Sequence, residues 1–135
     1  MRLVGKGGSL VLERSDIGPP GTPAERDILV NITVDSGGFA AAGQSWIVDA
    51  AWSGFLSQVR RLEACRQGRA TLESASPGDL QLELFSTDSV GHLAVRGQVR
   101  KRTTEKFELL LQFAFAFEPD QLPRILAELE TFGPR

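Results

Sequence analysis

The stretch Leu109–Phe117 reads "LLLQFAFAF", and its alternation confines it to one conformation. In a strand successive side chains point to opposite faces. Phe107, Leu109, Leu111, Phe113, Phe115 and Phe117 therefore share one face, and Glu108, Leu110, Gln112, Ala114 and Ala116 share the other. The run is about half of the roughly 20 residues a membrane-spanning helix needs, and one such strand cannot close a membrane barrel. The stretch reads as a long strand whose heavy face packs on a core. Its light face, with Leu110, Ala114 and Ala116, is more apolar than a solvated sheet face usually is. Either something covers that face in part or the face binds.

The same period of two recurs along the chain. In "RDILVNITV" it places Ile28, Val30, Ile32 and Val34 on one side. "DSGG" then turns the chain, and "FAAAGQSWIV" returns as a second strand from Phe39 to about Val48. "SLVLERS" and "RATLES" are short strand candidates, and "DIGPPGTPAE" is a loop. "LQLELF" sends Leu80, Leu82 and Leu84 inward. "HLAVRGQV" sends Leu93, Val95 and Val99 inward and His92, Ala94, Arg96, Gln98 and Arg100 outward. Two segments change period. Trp52, Phe55, Leu56, Val59 and Leu62 form the stripe of a helix that Asp49 caps and Gln67-Gly68 closes. Leu122, Ile125, Leu126, Leu129 and Phe132 form a second, capped by Asp120, with Pro123 in its first turn. These elements predict one α+β domain over residues 1–135: an antiparallel sheet of about six strands with two helices packed on one face. The predicted core packs Val30, Ile32, Leu82, Leu84, Val95, Leu111, Phe113 and Phe115 against Phe55, Val59, Leu62, Leu126 and Leu129.

Chemistry-bearing motifs are scarce. His92 is the single histidine and Cys65 the single cysteine among 135 residues. No nucleophile stands at a catalytic spacing from His92, and no ligand-spaced partner accompanies it. Its ordinary reading is an exposed or cross-strand side chain, and Cys65 reads as a small core hydrophobe. Asp79, Glu83, Asp88, Glu105 and Glu108 cluster around two hairpins, but they alternate with Arg96 and Arg100 and read as cross-strand ion pairs. Arg60, Arg61, Arg66 and Arg69 lack interleaved aromatics, and the net charge is −2, which argues against nucleic acid. No catalytic, metal or cofactor residue is assigned. "MRLVGKGGSLVLERSD" does not read as a secretion signal, no segment reads as a membrane span, and the chain reads as cytoplasmic.

The outward face of the later strands carries the candidate partner-binding residues: Glu83, Phe85, Arg96, Arg100, Leu110 and Gln112. Trp46, at the strand-to-helix junction, joins them because tryptophan is enriched at binding hot spots. Mixed arginine and aromatic faces suit protein partners. The competing reading folds the N-terminal strand and the proline-rich loop over this face. "SWIVDA", "GDLQLEL…GHLAVRGQV", the phenylalanine-rich strand and the leucine-rich closing helix together resemble the WapI-type immunity proteins and related small bacterial domains. That resemblance implies a non-enzymatic protein that binds and blocks a cognate toxin, with self-association left open. A small-molecule binding or sensing domain, using the sheet or a cavity near Trp46, is the alternative, with an enzyme third.

Overall fold

The computed structural model describes residues 1–133. In chain order the elements are β1 (Arg2–Gly5), β2 (Gly8–Ile17), β3 (Ile28–Ser36), β4 (Phe39–Ile47), α1 (Asp49–Cys65), β5 (Arg69–Glu73), β6 (Leu80–Ser86), β7 (Leu93–Arg102) and β8 (Glu108–Phe117). A short 3-10 turn, Pro119–Gln121, then leads into α2 (Leu122–Glu130). All strands pair antiparallel in one sheet of order β4-β3-β2-β1-β8-β7-β6-β5. The sheet thus has eight strands where the sequence predicts about six. The segments named from the sequence already number seven, and the one strand they omit is β1, whose four residues bury one side chain, Leu3. So short a run carries almost no periodic signal, yet it stands at the centre of the sheet.

The join between the two four-stranded halves is narrow. Gly5 stands opposite Phe117, and the Lys6 amide donates to the Ala116 carbonyl at 3.1 Å. A Cβ on Gly5 would lie 2.1 Å from that same carbonyl oxygen, so the strands meet only because the residue is glycine. Beyond the join the halves curl toward each other, and β4 comes to lie against β7 and β8. The approach is close: a Cβ on Gly43 of β4 would stand 2.8 Å from Val99 Cγ1 of β7. Inward side chains of both halves share one core with Trp52, Phe55, Val59 and Leu62 of α1 and Leu122, Ile125 and Leu129 of α2. Trp52 also stacks on Phe132, with centroids 5.4 Å apart.

The predicted core is buried except at Leu111 and Leu126, which are half-buried at its margin. The inward row of the last strand is shorter than expected. Phe113, Phe115 and Phe117 are buried, but Phe107 and Leu109 are exposed, because β7 and β8 run past the core as a two-stranded arm. Cys65 is exposed and not a core residue, since it lies on the last turn of α1 beyond Leu62.

The helix ends also differ from expectation. Asp49 is the first residue of α1, and its amide donates a hydrogen bond to Asp27 Oδ1 at 3.0 Å. The capping oxygen thus comes from the loop before β3. Arg66, in the left-handed region at φ 57°, ends the helix ahead of Gly68. Asp120 makes no side-chain cap to α2, because the 3-10 turn containing it intervenes. Pro123 does sit in the first turn of α2.

Candidate functional site

The outer face of β6, β7 and β8 follows directly from register. Glu83 pairs with Arg96 and Arg96 with Ala114; Gln81 pairs with Gln98 and Gln98 with Gln112; Phe85 pairs with Ala94 and Arg100 with Leu110. Six of the seven residues expected to bind a partner, Glu83, Phe85, Arg96, Arg100, Leu110 and Gln112, therefore lie together. Neither proposed cover reaches them. β1 and β2 are themselves sheet strands, and the proline-rich loop is tied to the start of α1 through Arg26–Asp49 and the Asp27 cap.

Arg96 organises one end of the face. Its guanidinium Nε and Nη2 donate to the Glu83 carboxylate at 3.3 and 3.0 Å, and it stacks over the Phe85 ring at 4.4 Å from the centroid. An exposed pair of this kind adds little stability, under about 1 kcal/mol. Its effect is to hold a charged, planar group at a set position, which lowers the entropy a partner must remove on binding. Beside it runs a row of amides. Gln112 Nε2 donates to Gln98 Oε1 at 3.4 Å, and Gln98 Nε2 donates to the Gly78 carbonyl at 2.8 Å. Together with Thr71, Glu73 and Gln81, which sequence reading did not single out, Arg96, Gln98 and Gln112 line an open groove of about 700 Å³. Thr71 and Glu73 belong to a five-residue strand, too short for its outward residues to declare a site.

Arg100 has a different task. It donates from Nε to Asp79 Oδ1 at 3.1 Å and from Nη2 to the Pro77 carbonyl at 2.6 Å, and it also pairs with Glu108 at 3.5 Å. It pins the turn before β6. Gly78 in that turn has φ +87°, which a side chain rarely adopts. Arg100→Ala should therefore cost about 1–3 kcal/mol, because the carbonyl and carboxylates lose their donor. Chemical denaturation checks this, and an unchanged midpoint would show that the turn holds without it. Arg96 and Arg100 share the outer face, but Arg100 alone of the two bonds to this turn.

Trp46 lies elsewhere. It is half-exposed on the outer side of β4, opposite Leu29 of β3, and belongs to the other half of the sheet. His92 is exposed, and its Nδ1 pairs with the Asp88 carboxylate. That hydrogen bond, more than any other contact, holds the Asp88 carboxyl below its usual range. Among the described residues no group of three or more histidine, cysteine or carboxylate side chains is placed to hold a metal ion. No described helix is long and apolar enough to cross a membrane. Of the helix arginines, Arg60 pairs with Glu130 and Arg66 with Glu63.

The arm formed by the ends of β7 and β8 extends the candidate face. Phe107 is 69% exposed, Leu109 55% and Leu110 52%, so apolar groups project on both sides of the ribbon. Lys101, Arg102 and Lys106 are exposed beside them. A signal for this was present in the sequence: the apolar row continues at Phe107 and Leu109 although "KRTTEK" breaks off the apolar pattern on the facing strand.

Neither a curated protein nor a solved structure matches the chain significantly. A family model does match, over residues 2–132, and it describes the immunity protein WapI-like family. The match takes in every strand, both helices and the whole outer face of β6–β8, and on that ground the chain belongs to the WapI-like immunity protein family.

Proposed function

We propose that this chain is a non-enzymatic immunity protein that neutralises a cognate toxin by binding it through the outer face of β6, β7 and β8. The observation that supports this surface is its composition. An open face combines a stacked, carboxylate-paired arginine with exposed Leu110 and the apolar arm, and nothing among the described residues covers it. Apolar side chains exposed this far and rimmed by polar groups mark interaction surfaces. A cytoplasmic site of action belongs to the same reading. The groove supports a small-molecule reading less well. It is open, and several of its polar groups are engaged with one another or with the adjacent turn, leaving few aimed at a ligand.

Titration calorimetry against a toxin encoded beside this chain tests the proposal. Arg96→Glu should weaken binding at least about 30-fold, because it removes the stacked cation and sets a carboxylate beside Glu83. Leu110→Ala should weaken it less, about 5-fold, for a partly buried side chain. Both variants should melt within a few degrees of the wild type, because neither side chain belongs to the core. Undiminished affinity in both would place the binding surface elsewhere.

A further inference from the structure

We propose that β4 is an open sheet edge onto which a second copy of this chain adds in antiparallel register, through Ala40–Gln44. The sheet has two edges, and they are treated differently. At β5 the helix α1 packs alongside, and Gln58 Oε1 accepts the edge amide of Thr71 at 2.8 Å. Among the described residues no helix does this at β4.

Hydrogen-bond parity shows which groups are free. The two-residue turn Gly37-Gly38, with φ +60° and +86°, pairs Ser36 with Phe39. In an antiparallel ladder alternate residues exchange both backbone bonds with the facing strand. Phe39, Ala41, Gly43, Ser45 and Ile47 therefore bond to β3, while Ala40, Ala42, Gln44 and Trp46 direct N–H and C=O outward. One contact corroborates the parity: the Trp46 carbonyl accepts the Ala75 amide at 2.8 Å. That edge already takes a backbone partner at one end. Among the described residues no other backbone group bonds to the outward groups of Ala40, Ala42 or Gln44.

Natural edges are blunted by charges, proline or bulges. "FAAAGQSWI" has no charged residue and no proline. Its register with β3 has no shift, whereas that of β2 with β3 shifts between Arg14 and Asp16. The occupant that fits is the same segment of another molecule. Antiparallel strands can pair about a two-fold axis, so the same outward groups serve both copies. An uncharged strand meets its own copy without like-charge repulsion, and it offers no counter-charge to a charged segment. Alanine side chains at positions 40 and 42 leave room for the approach. This inference does not rest on the immunity reading.

Sedimentation velocity of the full chain, up to concentrations on the order of 100 μM as a small interface requires, tests it. The wild type should sediment as a reversible dimer of the 14.7 kDa chain. Ala42→Lys, which places two like charges at the pairing centre, should weaken association at least about 10-fold. Ala42→Pro, which removes an edge amide and not a ladder bond, should do the same. The lysine variant alone decides the matter if the proline variant does not fold. A wild type that stays monomeric at the highest concentration, or a lysine variant that dimerises as well as the wild type, overturns the proposal. A monomer that still binds its toxin would sink this inference and leave the proposed function standing.

Discussion

Phe113→Ala should lower the free energy of unfolding by about 3–5 kcal/mol, much of the 5–15 kcal/mol that holds a domain of this size together. The ring is 7% exposed and packs 6.4 Å from the Phe115 ring. It also lies over Gly97, its partner across β7 and β8, where a Cβ would meet Phe113 Cζ at 3.1 Å. Truncation leaves a hole that the glycine cannot help to fill, so the site collapses poorly and the cost falls toward the upper end. Urea denaturation measures it as a lower midpoint with an unchanged slope. A loss under about 1 kcal/mol would mean that the ring contributes little to the core.

Gly97→Val should be as damaging, at about 3 kcal/mol or more, for the opposite reason. A Cβ at Gly97 would lie 2.2 Å from the Gln81 carbonyl oxygen, a backbone atom that cannot swing aside as a side chain can. Two elements of the sheet would have to separate. Gly54 provides the contrast on the same fold: it lies within α1, and a Cβ there meets nothing within 4 Å. Gly54→Ala should stabilise by about 0.5–1 kcal/mol, because alanine is the better helix former. Thermal denaturation of the pair decides the point. Equal effects at the two glycines would contradict the packing described for β6, β7 and β8.

These two positions also show what the sequence discloses and what it withholds. The alternation of "LQLELF" and "HLAVRGQV" assigns Leu82, Leu84 and Val95 to the core without a structure, because a strand's period of two leaves no other placement. The same alternation brings Glu83, Phe85, Arg96 and Leu110 to one outer face. It says nothing about Gly97 lying beneath Phe113, because which strands neighbour each other depends on long-range pairing. It also fails where tertiary context decides. β1 is too short to show a period, Asp27 caps a helix from 22 positions away, and Phe107 keeps the apolar parity of the core after the core has ended. Trp46 joins the candidate binding residues on residue type, and type carries no information about which half of a curled sheet a residue occupies.

Methyl-resolved NMR of the chain, titrated with a toxin encoded beside it, tests the central claim most directly. The methyl groups of Leu110 and Ala114 lie exposed on the outer face, while those of Leu84 and Leu129 lie in the core. Binding through β6, β7 and β8 predicts that the Leu110 and Ala114 signals shift or broaden as toxin is added and that the Leu84 and Leu129 signals stay in place. Shifts confined to Ala40 and Ala42 of β4, or to the exposed side of α1, with Leu110 and Ala114 unmoved, would contradict it.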